Sequence, residues 1–188
     1  MSIAEQDCEI KKELRASMNG ILSSHMRKAG MPYRLIFGVE LPRLQNIARE
    51  FVQDAALAYY LWEQDIRETR LLAIMLMPPE AFTSETANHW AETMMTAEEA
   101  QVMSMLLLSK SRNAKDICLN WLKQGETLPS VCAFLSLRHL LFQGIKISNE
   151  EMKEIEDCIA KTQPSANLHL RKAIQAFSES KDVKHDGL

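Results

Sequence analysis

Glycine and proline are scarce, six of each in 188 residues, and no stretch alternates Val, Ile or Thr with polar residues as a half-buried strand requires. Sheet architectures are thereby excluded, and an all-α chain is expected. The four cysteines, Cys8, Cys118, Cys132 and Cys158, lie far apart with no C-x-x-C spacing. That argues against a zinc site or a disulfide framework and for buried, reduced thiols. The five histidines form no pair at helical ligand spacing, so no metal and no cofactor is expected. No signal-peptide pattern is present, and no apolar run is long enough to span a bilayer. The expectation is a soluble, cytoplasmic protein with no membrane partner. An excess of positive charge is also missing: 22 basic against 25 acidic residues give a formal net charge of -3. A chain basic overall is excluded, while local basic patches are not.

What the chain does have is helical periodicity, clearest between Phe37 and Met77. Pro42 suits a first helical position, and Leu44, Ile47, Ala48 and Phe51 then recur on one face of a helix running from about Pro42 to Val52. A second helix covers Ala55 to Trp62. A third is expected from Ile66 to Met77, capped by Asp65 with Glu68 as the reciprocal half of a capping box. From Leu71 onward this third helix is apolar all round, which makes it an inner helix, and Pro78-Pro79 ends it. Arg67, Glu68 and Arg70 are expected to face water at its open end.

Similar signals continue on both sides. Ile10, Leu14, Met18, Ile21, Leu22 and Met26 keep helical spacing from Ile3 to Lys28, with a break at Asn19-Gly20. Thr83 or Ser84 caps a helix through Trp90, and Thr96 caps another with Glu98 and Glu99 in its first turn. Asn113 opens a helix that Gly125 ends, and Pro129 to Phe142 forms the next, with Gly144 as its stop. Ser148 and Glu151 form a capping box for Asn149 to Lys161. Pro164 separates this from a last helix bearing Leu168, Leu170, Ile174 and Phe177, after which residues 179–188 read as a polar, frayed tail. About ten helices joined by short loops fit either stacked antiparallel helix pairs or a compact irregular bundle. Pattern alone leaves both open, in either case as one domain over residues 1–188.

The ordered set Phe37-Gly38-Val39, Leu41-Pro42-x-Leu44, Ile47-Ala48-x-Glu50, Leu61-Trp62, Ile66-Arg67-Glu68-x-Arg70-x-Leu72-Ala73, Trp90-Ala91-Glu92 and Asn167 to Ile174 resembles the DNA alkylation repair enzyme (AlkD-like) family of HEAT-like repeat DNA glycosylases. The resemblance implies an α-solenoid of stacked antiparallel helix pairs whose concave side holds duplex DNA. In active members it implies hydrolysis of the glycosidic bond of N-alkylated purines without metal. A cationic lesion is already a good leaving group, so the work left is to stabilise positive charge developing on the sugar and to place a water. Active members use a Trp and an Asp four residues apart on the helix after the Trp-Ala-Glu segment, with an Arg and a second Trp further along.

Counted on from Trp90 without a gap, those two positions here hold Ala97 and Gln101. Alanine has no aromatic face, and an amide stabilises a cation far less than a carboxylate. Glu98 or Glu99 are the candidate substitutes, although the first turn of a helix is an ordinary place for glutamates. Arg138 falls near the family's arginine. With Arg43, Arg67, Arg70, Lys110, Arg112, Arg171 and Lys172 it makes up the candidate footprint for duplex DNA, to be weighed against solvated helix faces paired with acids. Trp62, Trp90 and Trp121 read as core, and the methionines as fillers of irregular core space. The implied function is sequence-independent binding of the DNA backbone with weak, altered or absent excision. The alternative is a non-catalytic helical scaffold for a protein or peptide partner.

Overall fold

The structure, a computed structural model, describes residues 1–162 and 166–182. Among the described residues it holds eleven α-helices, one short 3-10 turn and no strand beyond an isolated parallel bridge between Leu35 and Ile66. The chain divides into two compact units, Met1–Ala81 and Phe82–Leu188.

The first unit comprises α1 (Ile3–Ala16), α2 (Gly20–Lys28), α3 (Leu41–Arg49), α4 (Ala55–Trp62) and α5 (Arg67–Leu76). Asn19 breaks the N-terminal segment by accepting from the Leu22 N–H at 3.0 Å and so capping α2. Ile10 and Leu14 are buried, but Met18 and Ile21 fall at this break and are exposed, outside the core expected of them. Asp54 caps α4 by accepting from the Leu57 N–H at 3.0 Å. A four-residue connector, 63–66, turns the chain back from α4 into α5, so the two pack as an antiparallel pair. α3 rests on α5 as well, and α1 on α4. The inner character of α5 is complete: every one of its residues except Met75 is buried.

That burial corrects the reading of its first turn. Glu68 is 0% exposed, Arg67 2% and Arg70 4%. The Glu68 carboxylate accepts from the backbone N–H groups of Phe37, Gly38 and Val39 at 3.0, 2.9 and 3.3 Å. Arg67 donates to Glu68 at 2.8 Å and to the Val39 carbonyl at 2.9 Å. Arg70 donates to the Trp62 carbonyl at 2.8 Å and lies 3.9 Å over the Trp62 ring. Nor is there a capping box at this end: Ile66 is the N-cap, and Asp65 instead accepts from the Arg34 N–H at 3.0 Å. These groups tie the 33–40 connection onto α5. Gly38 makes the tie possible, with φ 76° and the Asn19 carbonyl oxygen 2.3 Å from where a Cβ would sit.

The second unit comprises α6 (Ser84–Glu92), α7 (Ala97–Leu106), the 3-10 turn Leu108–Lys110, α8 (Ala114–Gln124), α9 (Thr127–Phe142), α10 (Asn149–Thr162) and α11 (Leu168–Asp182). Thr83 and Thr96 cap α6 and α7, and Ser148 with Glu151 closes a capping box at 2.7 and 3.2 Å. α9 starts two residues before Pro129, which sits in the first turn where its missing N–H leaves no bond unmade. α7, α8 and α11 all pack on α9, whose side chains from Pro129 to Phe134 are buried without interruption. Phe134 meets Phe177 of α11 with ring centroids 5.8 Å apart. Trp62, Trp90 and Trp121 are all fully buried, and the Trp121 indole donates to the Asn88 side-chain oxygen at 3.1 Å. α11 continues to Asp182 with Ser180 buried, so 179–182 is helical rather than frayed, while Pro164 and 183–188 lie outside the described residues. No helix among the described residues is long and apolar enough to cross a membrane.

Candidate functional site

α7 carries the positions where the family chemistry is expected. Ala97 opens the helix half-buried, and Gln101 follows one turn later, exposed, with exposed Met105 one turn beyond. The outward strip of α7 therefore presents a methyl, an amide and a thioether, with half-buried Glu98 beside them three residues before Gln101, and no aromatic ring. Glu99 does not turn to this strip. It is fully buried and accepts from the Met95 N–H at 2.7 Å, while its own N–H donates to Thr96 at 3.3 Å. It acts as a helix-capping group, which removes it as a substitute carboxylate. Glu98 lies half-buried in the same first turn.

The candidate cations separate into those engaged within the fold and those turned outward. In the first unit, Arg67 and Arg70 are consumed by the α5 ties, so the expectation that they contact DNA is corrected by their burial. Arg43 is half-buried and joins α3 to α1, donating to Ser17 at 2.9 Å and pairing with Glu13 at 2.8 Å. In the second unit Lys110, Arg112, Arg171 and Lys172 are all exposed. Lys110 and Arg112 line a shallow depression of about 400 Å³ with Ser109, Ser111, Gln143 and Ile145, at the start of α8. Lys115 lines it too and pairs with Glu151 at 2.7 Å. This contact and the neighbouring Ser148 N–H hold the Glu151 carboxyl below its ordinary range. Arg171 and Lys172 occupy the outer side of α11, opposite buried Leu170, Ala173, Ile174 and Phe177.

Arg138 stands half-buried on the outward face of α9, its guanidinium carbon 5.0 Å from the centre of the Phe142 ring. Next to it, burial and the Arg138 charge lower the pKa of His139, so this imidazole is neutral near pH 7. Sequence reasoning missed Phe142 as anything but a helix-end apolar residue, yet it is 57% exposed. Its spacing of four from Arg138 was the available signal.

Of the four free thiols, Cys118 and Cys132 are buried, Cys158 is half-buried and Cys8 is exposed, which departs from the expected set of buried cysteines. Burial pushes the Cys132 thiol up to about 12 and Cys118 well above its usual value. Among the described residues no group of three His, Cys, Asp or Glu side chains could hold a metal ion.

A solved structure, described as a new family of proteins related to the HEAT-like repeat DNA glycosylases with affinity for branched DNA structures, matches this chain with a TM-score of 0.76 at 17% sequence identity. The match covers 92% of this chain and 74% of that one, and shows that the helices adopt the HEAT-like repeat fold. No match was found among curated proteins. The model of the family described as DNA alkylation repair enzyme matches residues 10–177. On that match, which takes in nearly every helix described above, the chain belongs to the DNA alkylation repair enzyme family.

Proposed function

We propose that this protein binds the sugar-phosphate backbone of DNA through exposed cations of its second unit, and that it excises N-alkylated purines weakly or not at all. The observation that carries the binding half is the depression where Lys110 and Arg112 stand exposed beside Ser109 and Ser111. Such a surface attracts phosphate without reading sequence, and its affinity falls steeply with salt. The loss of excision rests on α7, where Ala97 and Gln101 stand in place of the aromatic ring and the carboxylate that active members of the family use to stabilise a developing sugar cation. The structurally similar protein is described as having affinity for branched DNA, and branched DNA presents the same phosphates, so both forms belong in the test.

A salt-dependent titration of duplex and branched DNA checks this reading. Each phosphate contact removed should lower the slope of log K against log salt by about 0.9. The Lys110→Ala/Arg112→Ala variant should therefore show a shallower slope and weaker binding at low salt. No binding by the unaltered protein at low salt would refute the reading. It would favour a second one, a scaffold for a protein or peptide. That alternative draws support from a depression of about 510 Å³ where Met94, Leu128 and Pro129 are flanked by Glu92 and Glu126.

A further inference from the structure

Ser109 is only 4% exposed and lines the depression at the start of α8, yet its hydroxyl meets no partner among the described residues. The neighbouring Ser111 hydroxyl, by contrast, donates to the Leu108 carbonyl at 3.0 Å. Nor is the Ser109 oxygen sealed from solvent. A polar side chain so far buried ordinarily has its hydrogen bond within the protein. This one is left for an acceptor that enters the depression.

The rest of the lining says what charge that acceptor carries. Lys110 and Arg112 are exposed, and neither is paired with an acid among the described residues. Lys115 is neutralised by Glu151 at 2.7 Å, and no acid lines the depression itself. α8 contributes its start as well. Asn113 is the N-cap but makes no side-chain capping bond, and the Lys115 N–H, in the first turn, finds no acceptor among the described residues. Open first-turn N–H groups favour an anion.

A bridging phosphodiester carries one negative charge and is esterified on both sides, so it lies across a surface. A terminal phosphate monoester carries nearly two charges at neutral pH, has three free oxygens and is esterified on one side only. It can enter a depression end-on. Lys110 and Arg112 supply two unpaired positive charges, the match for a dianion. The nearly enclosed Ser109 hydroxyl suits a group that enters, not one that passes over.

We infer that the depression lined by Ser109, Lys110 and Arg112 seats a terminal phosphate monoester, so that the protein favours DNA ends bearing a phosphate over ends bearing a hydroxyl. The inference rests on the backbone-binding reading above and adds to it the kind of phosphate taken at this place.

The test uses the full chain and one hairpin duplex whose open end carries a 5′-hydroxyl, a 5′-phosphate, a 3′-phosphate or a 5′-methyl phosphate. At one salt concentration the unaltered protein should bind a phosphate-ended probe about tenfold more tightly than the hydroxyl-ended one, the scale of one hydrogen bond to a charged group. Preference in the 5′ or the 3′ arm supports the inference and tells which strand end is seated. The methyl phosphate, a diester at the 5′ position, should lose most of any gain seen there. Ser109→Ala removes a hydroxyl bonded to nothing in the protein and should shrink the preference to roughly twofold. Lys110→Ala/Arg112→Ala should abolish it, with far-UV circular dichroism confirming that each variant is folded. Equal binding of hydroxyl- and phosphate-ended probes by the unaltered protein, a methyl phosphate bound as tightly as the 5′-phosphate when that arm is preferred, or a preference untouched by Ser109→Ala overturns the inference and leaves backbone binding standing. Binding of no probe at low salt overturns both.

Discussion

Glu68→Ala is the substitution that most severely tests how the first unit is held together. The side chain is 0% exposed and accepts three backbone N–H groups as well as the Arg67 guanidinium, itself 2% exposed. Breaking a buried ion pair by deleting one partner costs roughly 3–5 kcal/mol, because the other charge is left uncompensated. Each stranded N–H adds up to about 1–3 kcal/mol, though such losses overlap when they share one carboxylate. A total of about 5 kcal/mol is the expected scale, comparable with the whole stability of an ordinary domain. For a chain of this length about 1 kcal/mol corresponds to roughly 2–4 °C, so Tm should fall by on the order of 15 °C. Thermal melting followed by circular dichroism measures it, with exposed Glu80→Ala as a comparison expected within about 0.5 kcal/mol. The double variant Arg67→Met/Glu68→Ala should recover part of the loss, since it removes the stranded charge. A Glu68→Ala melt no lower than that of Glu80→Ala would refute the argument that this carboxylate fastens the 33–40 connection to α5.

Other substitutions probe separate parts of the account. Gly38→Ala would place a Cβ 2.3 Å from the Asn19 carbonyl oxygen and 2.7 Å from the Ser23 nitrogen, both backbone atoms, at φ 76°; an unfolding free energy from urea titration lowered by more than about 2 kcal/mol is expected. In a thiol-reagent titration of the native protein, exposed Cys8 should react first and Cys158 more slowly. Cys118 and Cys132 should react only on unfolding, because burial keeps both protonated. His139 has a folded pKa below its ordinary 6.5, so the unfolded chain binds the proton more readily. Its contribution to stability is therefore present above pH 6.5 and declines as pH falls through that value toward the folded pKa, and Tm of His139→Gln should drop less over the same range.

Local signals were legible where local chemistry decides. Thr83, Thr96 and Ser148 cap the helices expected of them, and Gly125 and Gly144 end α8 and α9 with positive φ. The apolar run from Leu71 to Met77 became the inner helix it predicted, with only Met75 partly open. Reasoning failed where a distant partner overrode a local pattern. Asp65 and Glu68 have capping-box spacing, yet both carboxylates are claimed by backbone N–H groups about thirty residues earlier, at Arg34 and at Phe37 to Val39. Arg67 and Arg70 carry charge that any reading of composition assigns to water, and only the fold shows a carboxylate, two carbonyls and an indole ready to receive it. The candidate site divides along the same line. Lys110 and Arg112 were recognisable from their position before a helix, whereas the exposure of Phe142 depends on which side of α9 its neighbours leave bare.

The central claim, DNA binding without effective excision, is tested most directly by a base-release measurement. Duplex DNA carrying N-alkylated purines is mixed with protein in excess at low salt, and complex formation is followed in the same samples. The account predicts that the DNA is bound while base release stays close to the spontaneous rate. Rapid release abolished by Glu98→Ala or Gln101→Ala would contradict it, because it would place working chemistry on α7 where Ala97 and Gln101 replace the expected ring and carboxylate.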